Sequence, residues 1–150
     1  MNYWLMKTEP DEFSIDDLKR KKIEPWSGVR NYQARNYMRD GMRKGDGVLF
    51  YHSSCEIPGV AGIAEIATAA YADPTQFDPK SDYCDAGSKR DAPRWLLVDV
   101  KFKRKLKRTV TLAELKSRKE LKDLILLRPG NRLSVLPVAK ADWDFILGLE

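Results

Sequence analysis

An α+β fold built on a small mixed barrel, with short helices in its connections, is what this sequence predicts, and three observations predict it. Runs of apolar, β-branched and aromatic residues recur along the chain at Tyr3–Thr8, Val48–His52, Val60–Tyr71, Trp95–Arg108 and Leu133–Val138. The helical signals between them are short and carry their own caps. No repeat, low-complexity tract or linker interrupts the chain, so its 150 residues form one domain, 1–150. Several twisted strands with short helices in the connections suggest a small mixed barrel.

The elements follow in order. Tyr3–Thr8 is apolar and aromatic and is ended by Glu9-Pro10. Ser14-Ile15-Asp16-Asp17-Leu18 opens a short helix, with Ser14 as N-cap and Asp17 placed to bond back to its amide. A second helix is predicted from about Asn31 to Asp40, stopping at Gly41. At helical spacing Ala34, Tyr37 and Met38 form its buried side, and Asn31, Arg35 and Arg39 a polar stripe. Gly45-Asp46-Gly47 is a turn into the buried strand Val48–His52. Helix and strand compete over Val60–Tyr71, and the flanking Gly59 and Gly62 favour a hairpin partner.

Asp73 to Pro93 reads as a long loop anchored by Phe77 and Tyr83, and ordered loops of that length are often functional. Trp95–Arg108 alternates most clearly, with Leu96, Val98, Val100 and Phe102 against Leu97, Asp99, Lys101 and Lys103. Thr111-Leu112-Ala113-Glu114 repeats the capping pattern and opens a short helix. Leu121–Leu127 is apolar, Arg128-Pro129-Gly130-Asn131 is a turn, and Leu133–Val138 is the last strand. Ala141–Leu149 then reads as a helix burying Trp143, Ile146 and Leu147.

Composition narrows the function classes. With 43% hydrophobic and 10% aromatic residues the chain is a folded globule without a membrane span. Its N-terminus lacks the basic lead and apolar core of a secretory leader. Cys55 and Cys84 have no CxxC partner, which fits free thiols in a reducing, intracellular protein. The net charge of +5 is unevenly spread. Residues 19–44 carry nine Lys/Arg against Glu24 and Asp40, and residues 99–122 carry ten against Asp99, Glu114 and Glu120, within an acidic remainder. Clustered cations suit a polyanion such as nucleic acid, and equally make a solvated face.

Residues 25–39 are the most informative stretch: Pro-Trp-Ser-Gly-Val-Arg-Asn-Tyr-Gln-Ala-Arg-Asn-Tyr-Met-Arg. An indole offers a flat surface to a nucleobase, and Ser27 and Asn31 offer polar groups to its edge. Arg30, Arg35 and Arg39 are placed to hold the attached phosphates. A loop tryptophan such as Trp26 is either a pocket wall or a plug over the core. Asn31 also suits a helix N-cap. Trp4 and Trp143 belong to the core, whereas Trp95, at the end of the long loop, is a second candidate wall.

Tyr51, His52 and Ser53 end a strand, where side chains often reach a cleft. His52 is the sole histidine, and Cys55 beside it is too little for zinc. Ser53 and Ser54 next to His52 invite a hydrolase reading, but triads bring together groups distant in sequence. Lys103 and Lys105, within the basic run 101–108, either track phosphates or protect an edge strand. No GxGxxG, Walker-type loop or HExxH is present, and no catalytic residue, metal or cofactor is assigned.

Taken together, six segments resemble the EVE domain family, including its thymocyte nuclear protein type. They are Tyr3-Trp4-Leu5-Met6-Lys7, the run Trp26 to Asn36, Val48-Leu49-Phe50-Tyr51-His52-Ser53, Gly59 to Ile66, Phe77-Asp78-Pro79-Lys80-Ser81 and Pro93 to Val100. The resemblance spans nearly the whole chain. It implies a PUA-like fold related to the YTH readers of methylated adenine in RNA, and a pocket for a modified base, usually modified cytosine in DNA. It implies no catalytic residue. The expectation is a non-catalytic nucleic-acid-binding module, DNA before RNA. It would act in the cytoplasm or nucleoid of a bacterium or the nucleus of a eukaryote. Two alternatives stay open: an RNA-binding module of the same fold, and a hydrolase using His52.

Overall fold

The computed structural model describes residues 1–150. Eight strands form, β1 (Tyr3–Thr8), β2 (Ile23–Pro25), β3 (Gly47–His52), β4 (Gly59–Ile66), β5 (Tyr71–Ala72), β6 (Leu96–Leu97), β7 (Asp99–Thr111) and β8 (Val135–Val138). The α-helices are α1 (Ile15–Lys21), α2 (Tyr32–Asn36), α3 (Leu112–Ser117) and α4 (Lys140–Leu147). Six strands make one curled sheet in the order β2-β7-β4-β3-β1-β8, and β5 pairs β6 in a separate small sheet. Within the large sheet β1 runs parallel to β3, and the other neighbours are antiparallel. Register shifts after Phe50, Val60 and Ile63 mark bulges that bend the ribbon into a half-barrel. The α+β class and the incomplete barrel agree with expectation.

Both faces of the sheet are buried, which explains why β1 and β3 read as continuous apolar runs. Trp4, Met6, Val48 and Phe50 face a cluster completed by Ile15 and Leu18 of α1 and by Ala34 of α2. Leu5, Leu49 and Tyr51, the alternate residues of the same strands, face a second cluster with Leu115 of α3 and Trp143 and Ile146 of α4. The capping box at α1 forms as read: the Ser14 hydroxyl accepts from the Asp17 amide at 3.1 Å, and the Asp17 carboxylate from the Ser14 amide at 2.9 Å.

Other boundaries differ from expectation for identifiable reasons. The second helix gives way after Asn36 to a wide π turn, Tyr37–Gly41. There Gly41 packs so tightly on Trp4 that a Cβ would sit 2.7 Å from its ring. Val60–Tyr71 is strand only to Ile66; Tyr71–Ala72 belongs to the small sheet. Trp95–Arg108 is broken at Val98, whose carbonyl accepts from the Trp26 amide at 2.9 Å, and its second part runs on to Thr111. The apolar stretch Leu121–Leu127 falls at the end of one 3₁₀ turn, Lys119–Leu121, and includes a second, Ile125–Leu127. The short edge strand β2 went unread, because Pro25 and its exposed neighbours give no alternation.

One buried carboxylate ties the first strand to its partner. Asp46 is 3% exposed. It accepts from the Trp4 indole Nε1–H at 3.0 Å, from the Asn2 amide at 3.0 Å and from the Arg43 amide at 2.9 Å. Removing it leaves the buried Trp4 indole N–H without a partner, at a cost of about 1–3 kcal/mol, and returns the part-buried Asn2 and Arg43 amides to water. Asp46→Ala is therefore expected to destabilise the domain by about 1–3 kcal/mol, read as a lower urea midpoint at unchanged m-value.

Candidate functional site

The chain leaving β2 builds one wall of the largest hollow on the surface, a cleft of about 550 Å³ lined by Trp26, Ser27, Gly28, Val29 and Arg30. That volume lies within the range of small-molecule and nucleoside pockets. Trp26 answers both readings of a loop tryptophan. At 8% exposed it seals the core, edge-on to Phe50 at 5.6 Å and to Phe13 at 6.4 Å, yet what remains uncovered borders the cleft. Lys7, Thr8, Phe13, Ser53, Ser134 and Tyr83 complete much of the lining.

The wall is held by the long loop. Asp73, fully buried, accepts from the Gly28 amide at 2.8 Å and from the Arg30 guanidinium at 3.1 Å. It also accepts from the amide and hydroxyl of Thr75 at 2.8 and 2.6 Å. Burial alone would push this carboxyl up, but the Thr75 and Gly28 hydrogen bonds and the Arg30 cation together hold it below the usual carboxylate range. Arg30 reaches on to the Tyr83 carbonyl at 2.8 Å. Gly28 adopts φ +87°, and a Cβ there would lie 2.8 Å from the Tyr83 ring, so this position needs glycine on two counts.

The structure brings some of the expected site residues together and separates others. Trp26, Ser27, Ser53 and Arg30 line the cleft. Asn31 does not: its side chain caps α2, accepting from the Ala34 amide at 3.0 Å, and borders a neighbouring groove. Tyr51 is buried under a different groove, and burial pushes its hydroxyl up to about 12. Trp95 is 6% exposed, stacked on Tyr32 at 4.8 Å and donating to Asp85 at 2.8 Å, outside the cleft lining.

Of the expected phosphate ligands beyond Arg30, Arg35 donates to the Arg94 carbonyl at 2.9 Å and Arg39 pairs with Asp40. Lys103 pairs with Glu65 and Lys105 with Asp16. All four lie outside the cleft lining.

His52 is committed to the fold. Its Nε2 accepts from the Ile15 amide at 3.1 Å, and its ring lies edge-on to Phe50 at 5.7 Å. Burial is the main force lowering its pKa; nearby Asp16 opposes that and Lys105 adds to it. The neutral ring, with its basic nitrogen already engaged, is not placed as a general base.

Lys7, Phe13, Tyr83, Arg132 and Ser134 were missed from sequence. They come from four separate stretches, Arg132 and Ser134 sharing one, that only the sheet topology brings together; the one available signal was Tyr83, an aromatic within a polar loop. The hydroxyls of Ser27, Ser53, Ser54 and Ser134 line this cleft without a hydrogen-bond partner in the protein.

A curled α+β half-barrel with a cleft of this kind defines a class of small domains, and solved structures share it. A crystal structure of a protein from Pseudomonas syringae superposes with TM-score 0.94 at 50% identity, covering 98% of both chains. Human thymocyte nuclear protein 1, solved in complex with DNA containing 5-methylcytosine, superposes with TM-score 0.95 at 43% identity, covering 99% of this chain and 97% of that one. Over the full human sequence the identity is 44% across 168 residues, 99% of this chain and 74% of the human protein. Residues 2–149 match the EVE domain, and the chain belongs to that family. No helix is long and apolar enough to cross a membrane.

The role of His52 has a pH signature. Its folded pKa lies below the unfolded value of about 6.5, so the folded state binds fewer protons there. That contribution is complete above about pH 6.5 and is lost as pH falls through the lower folded value. Between about pH 7 and pH 5.5 the unfolding free energy of the wild type should drop more than that of His52→Gln, whose amide oxygen can still accept from Ile15.

Proposed function

We propose that this domain recognises a modified base, 5-methylcytosine in DNA, by admitting the unstacked nucleotide to the cleft bordered by Trp26, and that it does no chemistry on it. The observation that carries the reading is the set of unengaged hydroxyls, Ser27, Ser53 and Ser134, around an indole at the margin of this cleft. An aromatic surface with free polar groups at its margin is what a base with a π-face and a hydrogen-bonding edge requires. The DNA complex of human thymocyte nuclear protein 1, a relative of this fold and sequence, supports the same ligand. The name of that relative and the free thiols of Cys55 and Cys84 support a place inside the cell, with the DNA.

Magnitudes set what such a site must supply. Extruding a base costs a few kcal/mol, and stacking on an aromatic returns about 1–3 kcal/mol, so edge hydrogen bonds and phosphate contacts must provide the surplus. Burying one methyl group contributes about 0.8 kcal/mol, a preference of about fourfold by area alone.

Because Trp26 also closes the core, its role is best tested with Trp26→Phe, which keeps an aromatic ring against Phe50 and Phe13, beside Tyr83→Ala at the exposed rim. Both should weaken binding of a methylated oligonucleotide, within the roughly 1–3 kcal/mol that base stacking supplies. Unmodified DNA and an RNA of the same sequence should bind less tightly to the wild type. Identical affinities across all proteins and all three nucleic acids, measured by fluorescence anisotropy, would remove the reading.

A further inference from the structure

The turn Arg128-Pro129-Gly130-Asn131-Arg132 stands where three grooves meet. The base cleft includes Lys7 and Arg132; a second groove of about 490 Å³ shares Lys7, Ser53 and Ser54 with it and adds Lys116 and Arg128. A third, of about 390 Å³, is bordered by Arg128 and Arg132 together. Neither of the two outer grooves is lined by a single carboxylate. The base cleft, by contrast, carries Glu9, Glu12 and Glu24, which repel phosphate.

Availability separates these cations from the residues that the sequence marks as phosphate ligands. The side chains of Lys7, Lys116, Arg128 and Arg132 form no ion pair and no hydrogen bond in the protein. Arg30, Arg35, Arg39, Lys103 and Lys105 are all engaged. A paired cation must exchange its carboxylate for a phosphate, with little net gain, whereas a free one releases only counterions. The turn also holds the one buried polar side-chain atom without a partner, Asn131 Nδ2, while Asn131 Oδ1 accepts from the Leu133 amide at 3.2 Å. A buried donor left unpaired costs free energy until an acceptor arrives.

We infer that the phosphates flanking the recognised base run along the Arg128–Arg132 turn, held by Arg128, Arg132, Lys7 and Lys116, and that Lys103 and Lys105 of β7 do not carry them. This rests on the base-recognition reading, and the test separates the two. Binding of a methylated oligonucleotide and its unmethylated twin is measured from about 50 to 200 mM salt, where the slope of log affinity against log salt is about −0.9 per phosphate contact.

The double variant Arg128→Gln/Arg132→Gln should make the salt slope shallower by about 2, weaken both oligonucleotides by the same factor and leave the methyl preference intact. The control Lys103→Gln/Lys105→Gln should keep the wild-type slope. A wild-type slope in the first variant, or the loss appearing in the control instead, overturns the phosphate path. Salt-dependent binding that tracks the turn but shows no methyl preference sinks the base reading and leaves the path standing. A wild-type protein that binds neither oligonucleotide overturns both.

Discussion

The Asp73 carboxylate holds two stretches of chain that have no regular structure in common. On one side are the Gly28 amide and the Arg30 guanidinium, on the other its own loop through Thr75. The Trp26–Arg30 wall of the cleft depends on this point. After Pro25 the segment leaves the sheet; the Trp26 and Ser27 amides still reach the Val98 and Pro25 carbonyls, and the Gly28 amide has only Asp73. The long loop depends on the same group, and Gln76 continues the work. Its Nε2 donates to the Asp73 and Trp95 carbonyls at 2.7 Å each, and its Oε1 accepts from the Ser88 hydroxyl and the Trp95 amide. A loop of this length is ordered because buried side-chain amides and carboxylates replace the hydrogen bonds a sheet would have given.

That scaffold divides labour among the charged residues. Cations that build the structure are paired: Arg30 on Asp73, Arg104 and Glu150, Arg108 and Glu114. Glu150 is held down to about 2, first by its hydrogen bond from Arg104, so even the far end of the chain is bound into the acid–base network. Lys7, Lys116, Arg128 and Arg132, which line the grooves, stand free. Charge counting along the sequence sees two equal basic blocks, but three of these four cations lie outside both, and only geometry gathers them on one surface.

Local chemistry was legible and convergence was not. The Ser14–Asp17 capping box and the Asn31 cap are decided within four residues, and both formed as read. The alternation of Leu96 to Phe102 located a strand but hid its break, since Val98 leaves the ladder to receive Trp26 from seventy residues upstream. Trp26 itself was found, because an indole between Pro25 and Ser27-Gly28 is out of place in a turn. Trp95 carried a similar signal yet turns inward, anchored by Asp85 and stacked on Tyr32. Nothing in the spacing marks Asp73 among the many acids of its loop, nor Arg132 as a neighbour of Lys7. Those relations exist only after β1, β3 and β8 have assembled.

That assembly has a temporal side. β1 lies between β3 and β8, with Tyr3 opposite Val138, so the strand made first is flanked on one side by the strand made last. Pairings this distant in sequence form late and leave an unpaired apolar edge meanwhile. Within this domain that edge is the β8 side of β1, so a folding intermediate lacking β8 would offer the backbone of Tyr3 to Met6 to any other strand.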